Sequence, residues 1–297
     1  MIRWLLNAVS GWATRWSQAT RLRVGRTLGF LMGHVFRVRR REVQATLARC
    51  FPERTEADRR IIANGVYRHL GTMAAECLSF PGQPPDVFQQ FVDFEGKEHI
   101  QNALAQGRGM LILMGHIGNW EMLGLALAGR WTRVSVIVRT QRSAAFDTFW
   151  RESREKMGLH PLPSQHSFRE VLRLLKKGEM VAVTLDQNMR RRRGIFVDFF
   201  GKPACTTPGL AYLAAHSGAP VVPLYIIRQP DGRHVVYAQP ALPPPPDRDE
   251  ATILAATQTY SNILENIIRQ HPDQWLWLHN RWRTRPEQPV PPSRRPG

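Results

Sequence analysis

The residues best suited to chemistry lie in GMLILMGHIGNWEMLG, residues 109–124, where His116 precedes Glu121 by five positions. An imidazole can take a proton from a hydroxyl near neutral pH, and a carboxylate one turn further along can orient the ring and offset the charge it gains. The spacing alone is a weak signal, because ten histidines and 24 acidic residues among 297 give roughly one such pair by chance. His116 and Glu121 are the one pair present. Their setting adds weight: GMLILMG predicts a strand and NWEMLGLALAG a helix, so His116 falls at a strand's carboxyl end and just before a helix. The positive end of that helix disfavours imidazolium and keeps the ring available as a base. Gly115 and Gly118 leave room for a substrate's close approach. The competing reading is a structural histidine with satisfied ring nitrogens.

Two further strand ends point to the same edge. Asp186 ends the run EMVAVTLD and Arg139 closes VSVIVR, so an acid and a fixed cation converge on the His116 mouth if the strands are parallel. Arg139 is suited to polarising a carbonyl or holding a phosphate. The plainer alternatives are a turn-capping Asp and a surface ion pair. Arg190, Arg191, Arg192 and Arg193 form a basic loop suited to lipid phosphates or an acidic protein face, or simply a solvated loop. Near the C-terminus, QWLWLHNRWRTRP interleaves Trp275, Trp277 and Trp282 with Arg281, Arg283 and Arg285, a mixture that fits base stacking or a membrane interface.

The elements that must hold these residues alternate. VDFEG leads to KEHIQNALAQG, the His116 strand to its helix, VSVIVR to AAFDTFWRESREKMG, and SFREVLRLLKKG to EMVAVTLD. GIFVDFF, TPGLAYLAAHSG, PVVPLYIIR and HVVYAQPA continue the series. This predicts an α/β fold with a mostly parallel central sheet flanked by helices. Residues 55–80 read as one long helix with a Thr-x-x-Asp start, and DEATILAATQTYSNILENIIRQHP as a final one. Helical, membrane-associating residues 1–41, one α/β domain over 42–286 and a disordered Pro/Arg tail over 287–297 complete the expected organisation.

Lys and Arg number 41 against 24 acidic residues, a formal charge of +17, so the partner should be anionic. The first 20 residues choose among anionic partners. At 100° per residue Trp4, Leu5, Ala8, Val9, Trp12 and Trp16 share one side, with Arg3, Asn7, Ser10, Thr14 and Gln18 opposite, which suits a helix lying in the headgroup plane. The apolar stretch 28–38 ends among Arg37, Arg39, Arg40 and Arg41, as expected beside an anionic leaflet; a core-packed helix pair with solvated arginines is the alternative. No run reaches the length of a membrane span. Nucleic acid is not expected, because no helix-turn-helix, RNP or zinc-finger pattern occurs. Cys50, Cys77 and Cys205 are scattered, which argues against a disulfide framework or a cysteine zinc site. Without a Walker loop, GxGxxG or HExxH, neither a nucleotide cofactor nor a metal is expected. The hypothesis from another class is a non-catalytic basic protein that binds membranes or nucleic acid.

Taken in order, GHIGNWE, VIVRT, LDQN, GIFVDFFGKPACTTPGLAYLAAHSGAPVVP and QWLWLHNRWRTRP, preceded by RREVQATLARCFPE, resemble the bacterial lipid A lauroyl/myristoyl acyltransferases, within the wider glycerolipid acyltransferases. The resemblance covers about residues 1–286. It implies transfer of a fatty acyl group from acyl carrier protein, or from coenzyme A, to a hydroxyl of a lipid A precursor or another glycolipid or lysophospholipid. The expected place is the cytoplasmic face of the inner membrane, bound peripherally or monotopically. By the same carry-over His116 is the general base, Glu121 its orienting partner, and Arg139 and Asp186 are active-site supports. Gly115, Gly118, Asn119, Gln187, Arg190, Arg191, Arg192 and Arg193 are the expected substrate contacts.

Overall fold

The computed structural model describes residues 2–286 except 82, 85, 129, 141 and 142; the tail expected to be disordered, 287–297, lies outside the described residues. The first part is helical: α1 (Ile2–Ala13), α2 (Gln18–Phe30) running into a π-helical turn at Leu31–Val35, and α3 (Arg40–Cys50). α4 (Glu56–Ser79) starts at the expected capping box, with Thr55 and Asp58 each satisfying the other's backbone N–H. A short α5 (Asp86–Gln89) follows.

Strands and helices then alternate: β1 (Val92–Glu95), α6 (Lys97–Leu104), β2 (Met110–Met114), α7 (Trp120–Leu127), β3 (Val134–Val138), α8 (Ala144–Lys156), β4 (Leu159–Pro163), α9 (Phe168–Lys176) and β5 (Met180–Thr184). β6 (Ile195–Asp198), β7 (Pro203–Thr206), α10 (Gly209–Ser217), β8 (Val221–Arg228), β9 (His234–Ala238) and α11 (Glu250–Gln270) complete the order. The central sheet runs β1-β9-β8-β2-β5-β3-β4. Every neighbouring pair is parallel except β8 with β9, which bears out the mostly parallel α/β reading.

β2 is buried along its whole length, as a central parallel strand covered on both faces must be. Its side chains alternate between two cores. Leu111 and Leu113 join the layer formed with α3, α9, α10 and α11, whereas Met110, Ile112 and Met114 join the layer under α6 and α7. α4 contributes Ile62, Val66 and Tyr67 to the first layer and Met73 and Cys77 to the second, so it passes from one layer to the other beside the strand ends that matter below.

Several expectations are corrected. GIFVDFF is no part of the central sheet: its β6 pairs antiparallel with β7, and the two form a hairpin closed between Phe199 and Lys202. β4 was hidden by Pro161 and Pro163, residues that a sheet tolerates only at an edge, and β4 is the edge strand. The first 20 residues are not one helix. The chain turns after Ala13, Ser17 caps α2, and Trp16 is buried with Ala13 and Ala75 instead of joining the outer apolar face. Trp4, Leu5 and Trp12 remain exposed, as do Phe30, Val35 and Phe36 at the end of α2.

α2 lies against α4 at close range. A Cβ on Gly25 would stand 2.3 Å from Thr72 Cα, and one on Gly29 2.3 Å from the Tyr67 carbonyl oxygen. Glycines at this spacing let two backbones approach as no larger residue would. The region is therefore a packed helix pair that also carries an exposed apolar rim.

Candidate active site

β2 and β5 pair in parallel with Met114 opposite Thr184. Two residues beyond each strand end, His116 and Asp186 therefore meet side by side. The His116 backbone N–H donates to Asp186 Oδ2 at 2.7 Å, and its Nδ1 lies 2.8 Å from Oδ1. Trp275 adds a third donor, its indole Nε1–H reaching Oδ2 at 2.8 Å. Nδ1 thus carries the proton that Asp186 accepts, and Nε2 is the ring's other face, 3.1 Å from the Gln187 side-chain nitrogen.

Burial by itself would lower the imidazole pKa, but the adjoining Asp186 charge and hydrogen bond outweigh it and leave the pKa raised. Burial likewise works to raise the Asp186 pKa, yet His116 and the N–H donors hold that carboxyl well below the usual carboxylate range. A full negative charge at hydrogen-bond distance overrides the weaker field expected from the start of α7.

Glu121 does something else. Its carboxylate is taken up by the Arg154 guanidinium on α8, with Nε donating to Oε2 at 3.0 Å and Nη2 to Oε1 at 2.5 Å. Among the described residues the side-chain hydrogen bonds to the His116 ring come from Asp186 and Gln187. The structure does not place Glu121 on the ring as expected: its carboxylate is taken by a bidentate guanidinium and reaches His116 only through its charge, while the carboxylate on the ring comes from 70 positions downstream.

A cavity of about 710 Å³ opens on His116 and is lined by Glu121, Arg139, Arg154 and Gln187 together with apolar groups such as Met73 and Trp150. This volume lies within the range of small-molecule sites. α4 presents Leu70, Met73, Ala74 and Cys77 to it, a stripe at helical spacing. Phe146, Asp147, Trp150, Arg151 and Arg154 come from α8. α8 also meets α1, where Arg3 and Glu152 pair. No group of three or more possible metal ligands occurs among the described residues.

The remaining sequence candidates separate. Gly115 and Gly118 make room for the protein itself and not for a substrate. A Cβ on Gly115 would come 3.2 Å from the Asp186 carboxylate; on Gly118, whose φ is +60°, it would stand 1.6 Å from the Ile226 carbonyl oxygen. Asn119 is also structural. It is fully buried, caps α7 through Met122 N–H, and donates to Glu76 at 2.7 Å. Glu76 in turn holds Arg228 and lies 3.4 Å from His234 Nε2.

Arg190, Arg191, Arg192 and Arg193 are exposed, away from the cavity lining. The C-terminal motif is corrected in part, since Trp275, Trp277 and Arg281 are buried in the core while Arg283 and Arg285 are exposed. Arg154 and Trp275 were not legible as site residues. Nothing in the α8 sequence marks Arg154, and Trp275 sits in a motif whose composition suggests an interface.

The model of the bacterial lipid A biosynthesis acyltransferases matches residues 1–284. The chain belongs to that family. It is accordingly an acyltransferase, which bears out the resemblance read from the ordered motifs and sets aside the non-catalytic alternative. Among its relatives, the lipid A biosynthesis lauroyltransferase of Escherichia coli K12 is 30% identical over 270 residues, 89% of this chain and 86% of the relative. The lipid A biosynthesis myristoyltransferase of the same organism is 24% identical over 268 residues, 90% of this chain and 82% of that one. A solved structure, the 1-acyl-sn-glycerophosphate acyltransferase of Thermotoga maritima, matches at TM-score 0.41 and 14% identity, covering 87% of this chain and 99% of its own.

Proposed function

We propose that the chain moves a fatty acyl group from an acyl thioester, on acyl carrier protein or coenzyme A, to a hydroxyl of a lipid A precursor, with His116 as general base and Asp186 as the carboxylate that orients it. The observation that carries this reading is the 2.8 Å contact of His116 Nδ1 with Asp186, which leaves Nε2 beside Gln187, a residue that lines the cavity together with His116.

In the proposed reaction neutral His116 takes the hydroxyl proton at Nε2 while Asp186 steadies the developing imidazolium. The acceptor oxygen attacks the thioester carbonyl. Arg139, on the cavity wall, offsets charge on the carbonyl oxygen. The C–S bond then breaks, the imidazolium returns its proton to the thiolate, and ester and thiol leave. No acyl-enzyme forms, so none of the cysteines has to act. Glu121 serves by holding Arg154 in the wall, and Gln187 moves off Nε2 when the acceptor hydroxyl arrives.

The exposed Trp4, Leu5 and Trp12 support residues 1–41 as the part that lies on the cytoplasmic face of the inner membrane. Burying each such side chain contributes about 1.5–3 kcal/mol, and basic residues near an anionic surface about 1 kcal/mol each. Among the described residues no helix is long and apolar enough to cross a membrane. The exposed Arg190, Arg191, Arg192 and Arg193 form the surface proposed to meet the acidic carrier protein.

The test is transfer from radiolabelled acyl carrier protein to a lipid A precursor by the full chain in detergent, read by mass spectrometry, beside the lipids of cells with and without the gene. Acylated precursor in both supports the reading. Unchanged lipids together with an inert purified protein would refute it.

A further inference from the structure

Resting on His116 as the base, we propose that Trp275 is a positioning residue for the reaction, a fixed indole N–H donor that sets the Asp186 carboxylate so that its Oδ1 faces the imidazole. Asp186 Oδ2 accepts two N–H groups, one from the His116 backbone and one from Trp275. With both present, rotation of the carboxylate about its Cβ–Cγ bond breaks two hydrogen bonds in a water-excluded place, where each lost bond leaves a buried partner unpaired. With the indole donor gone, the remaining donors all belong to His116, and the two groups can drift together.

The indole is itself fixed to the loop it serves. Gly118 N–H donates to the Gln274 carbonyl at 2.9 Å and Leu276 N–H to the His116 carbonyl at 3.1 Å, forming an antiparallel bridge between Ile117 and Trp275. The Gln274 side chain in turn grips both backbone groups of Arg228 on β8, at 2.9 Å each. Trp275 is 1% exposed and packs edge-on against Trp277 at 4.5 Å. The segment after α11 is thereby tied to the His116 loop on one side and to the catalytic carboxylate on the other.

A neighbour supplies the control. Trp282 belongs to the same aromatic cluster, 6.5 Å from Trp275, but its indole nitrogen has no hydrogen-bond partner among the described residues. Trp282→Phe therefore removes an indole from the same cluster, at a half-buried position, without removing a donor from Asp186.

The experiment compares wild type, Trp275→Phe and Trp282→Phe as full chains in detergent, by NMR titration of the His116 ring and by the kcat and KM of acyl transfer. Trp275→Phe should raise the His116 pKa by ~0.5 unit, because a carboxylate that loses a donor binds imidazolium more strongly. It should also lower kcat about tenfold with KM within about twofold. Trp282→Phe should do neither. An unmoved titration with a kcat no lower than that of Trp282→Phe would overturn the proposal. If Trp275→Phe does not fold, benzothienylalanine at 275, which replaces only the N–H by sulfur, gives the same two readouts. If wild type transfers no acyl group, the functional reading fails on its own, and the His116 titration still decides the role of Trp275.

Discussion

The Asp186 carboxylate closes on His116 from two sides, with Oδ1 2.8 Å from the ring Nδ1 and Oδ2 2.7 Å from the backbone nitrogen. One acidic group thereby fixes both the tautomer of the ring and the loop that carries it, which is the arrangement a general base requires.

Removing either member should abolish most activity. His116→Ala is expected to lower kcat/KM by at least about a thousandfold and Asp186→Asn by about a hundredfold or more. Since the His116 pKa is raised, the neutral base predominates only above its ordinary range, and the acid limb of kcat/KM should lie above about pH 6.5. In Asp186→Asn burial acts without the opposing charge, so that limb should move to lower pH. A limb that stays in place in a pH series would show that Asp186 does not tune the base.

Glu121 and Arg154 should behave as a structural pair at the cavity wall. Glu121→Gln leaves a guanidinium uncompensated, and because Arg154 keeps 20% of its side chain exposed the cost should be about 2 kcal/mol, below that of a fully buried pair. The double variant Glu121→Gln/Arg154→Met should recover about half of that stability in urea denaturation. If Glu121→Gln proves harmless to stability yet lowers kcat/KM as far as Asp186→Asn does, the orienting carboxylate is Glu121 after all.

Gly118→Ala should destabilise by more than about 2 kcal/mol, because the left-handed backbone disfavours a side chain and the new Cβ would collide with the Ile226 carbonyl. Thermal unfolding reads the effect, and a melting temperature within about two degrees of wild type would contradict it.

The exposed aromatic rim predicts a lipid-binding phenotype without a folding one. Trp4→Ser/Trp12→Ser should weaken cosedimentation with anionic vesicles about tenfold or more while leaving the unfolding transition unchanged, since both indoles face outwards. Equal cosedimentation of wild type and variant would exclude α1 as the membrane contact.

Acid stability follows from Glu76. Burial alone would raise its pKa, but the Arg228 charge dominates and holds the carboxyl well below the usual range. A depressed folded pKa means that its contribution is present above the unfolded value, near pH 4.5, and is lost as pH falls through the folded one. Urea stability should accordingly decline below about pH 5, and that decline should be shallower in Glu76→Gln, whose baseline is lower.

Much of this molecule was readable along the chain. The apolar runs located β2, β3, β5 and β8, the Thr55 capping box located the start of α4, and the strand-end rule set His116, Arg139 and Asp186 on one edge, because burial and backbone satisfaction impose local periodicities that a sequence displays. What the tertiary structure alone decided is which of these groups touch. The parallel register of Met114 with Thr184 brings Asp186 onto His116 across 70 positions, while α8 delivers Arg154 to Glu121 and the segment after α11 delivers Trp275 to Asp186. Neighbours five residues apart are visible in a sequence; partners joined by sheet register and helix docking are not, since those contacts are set by the packing of the whole core.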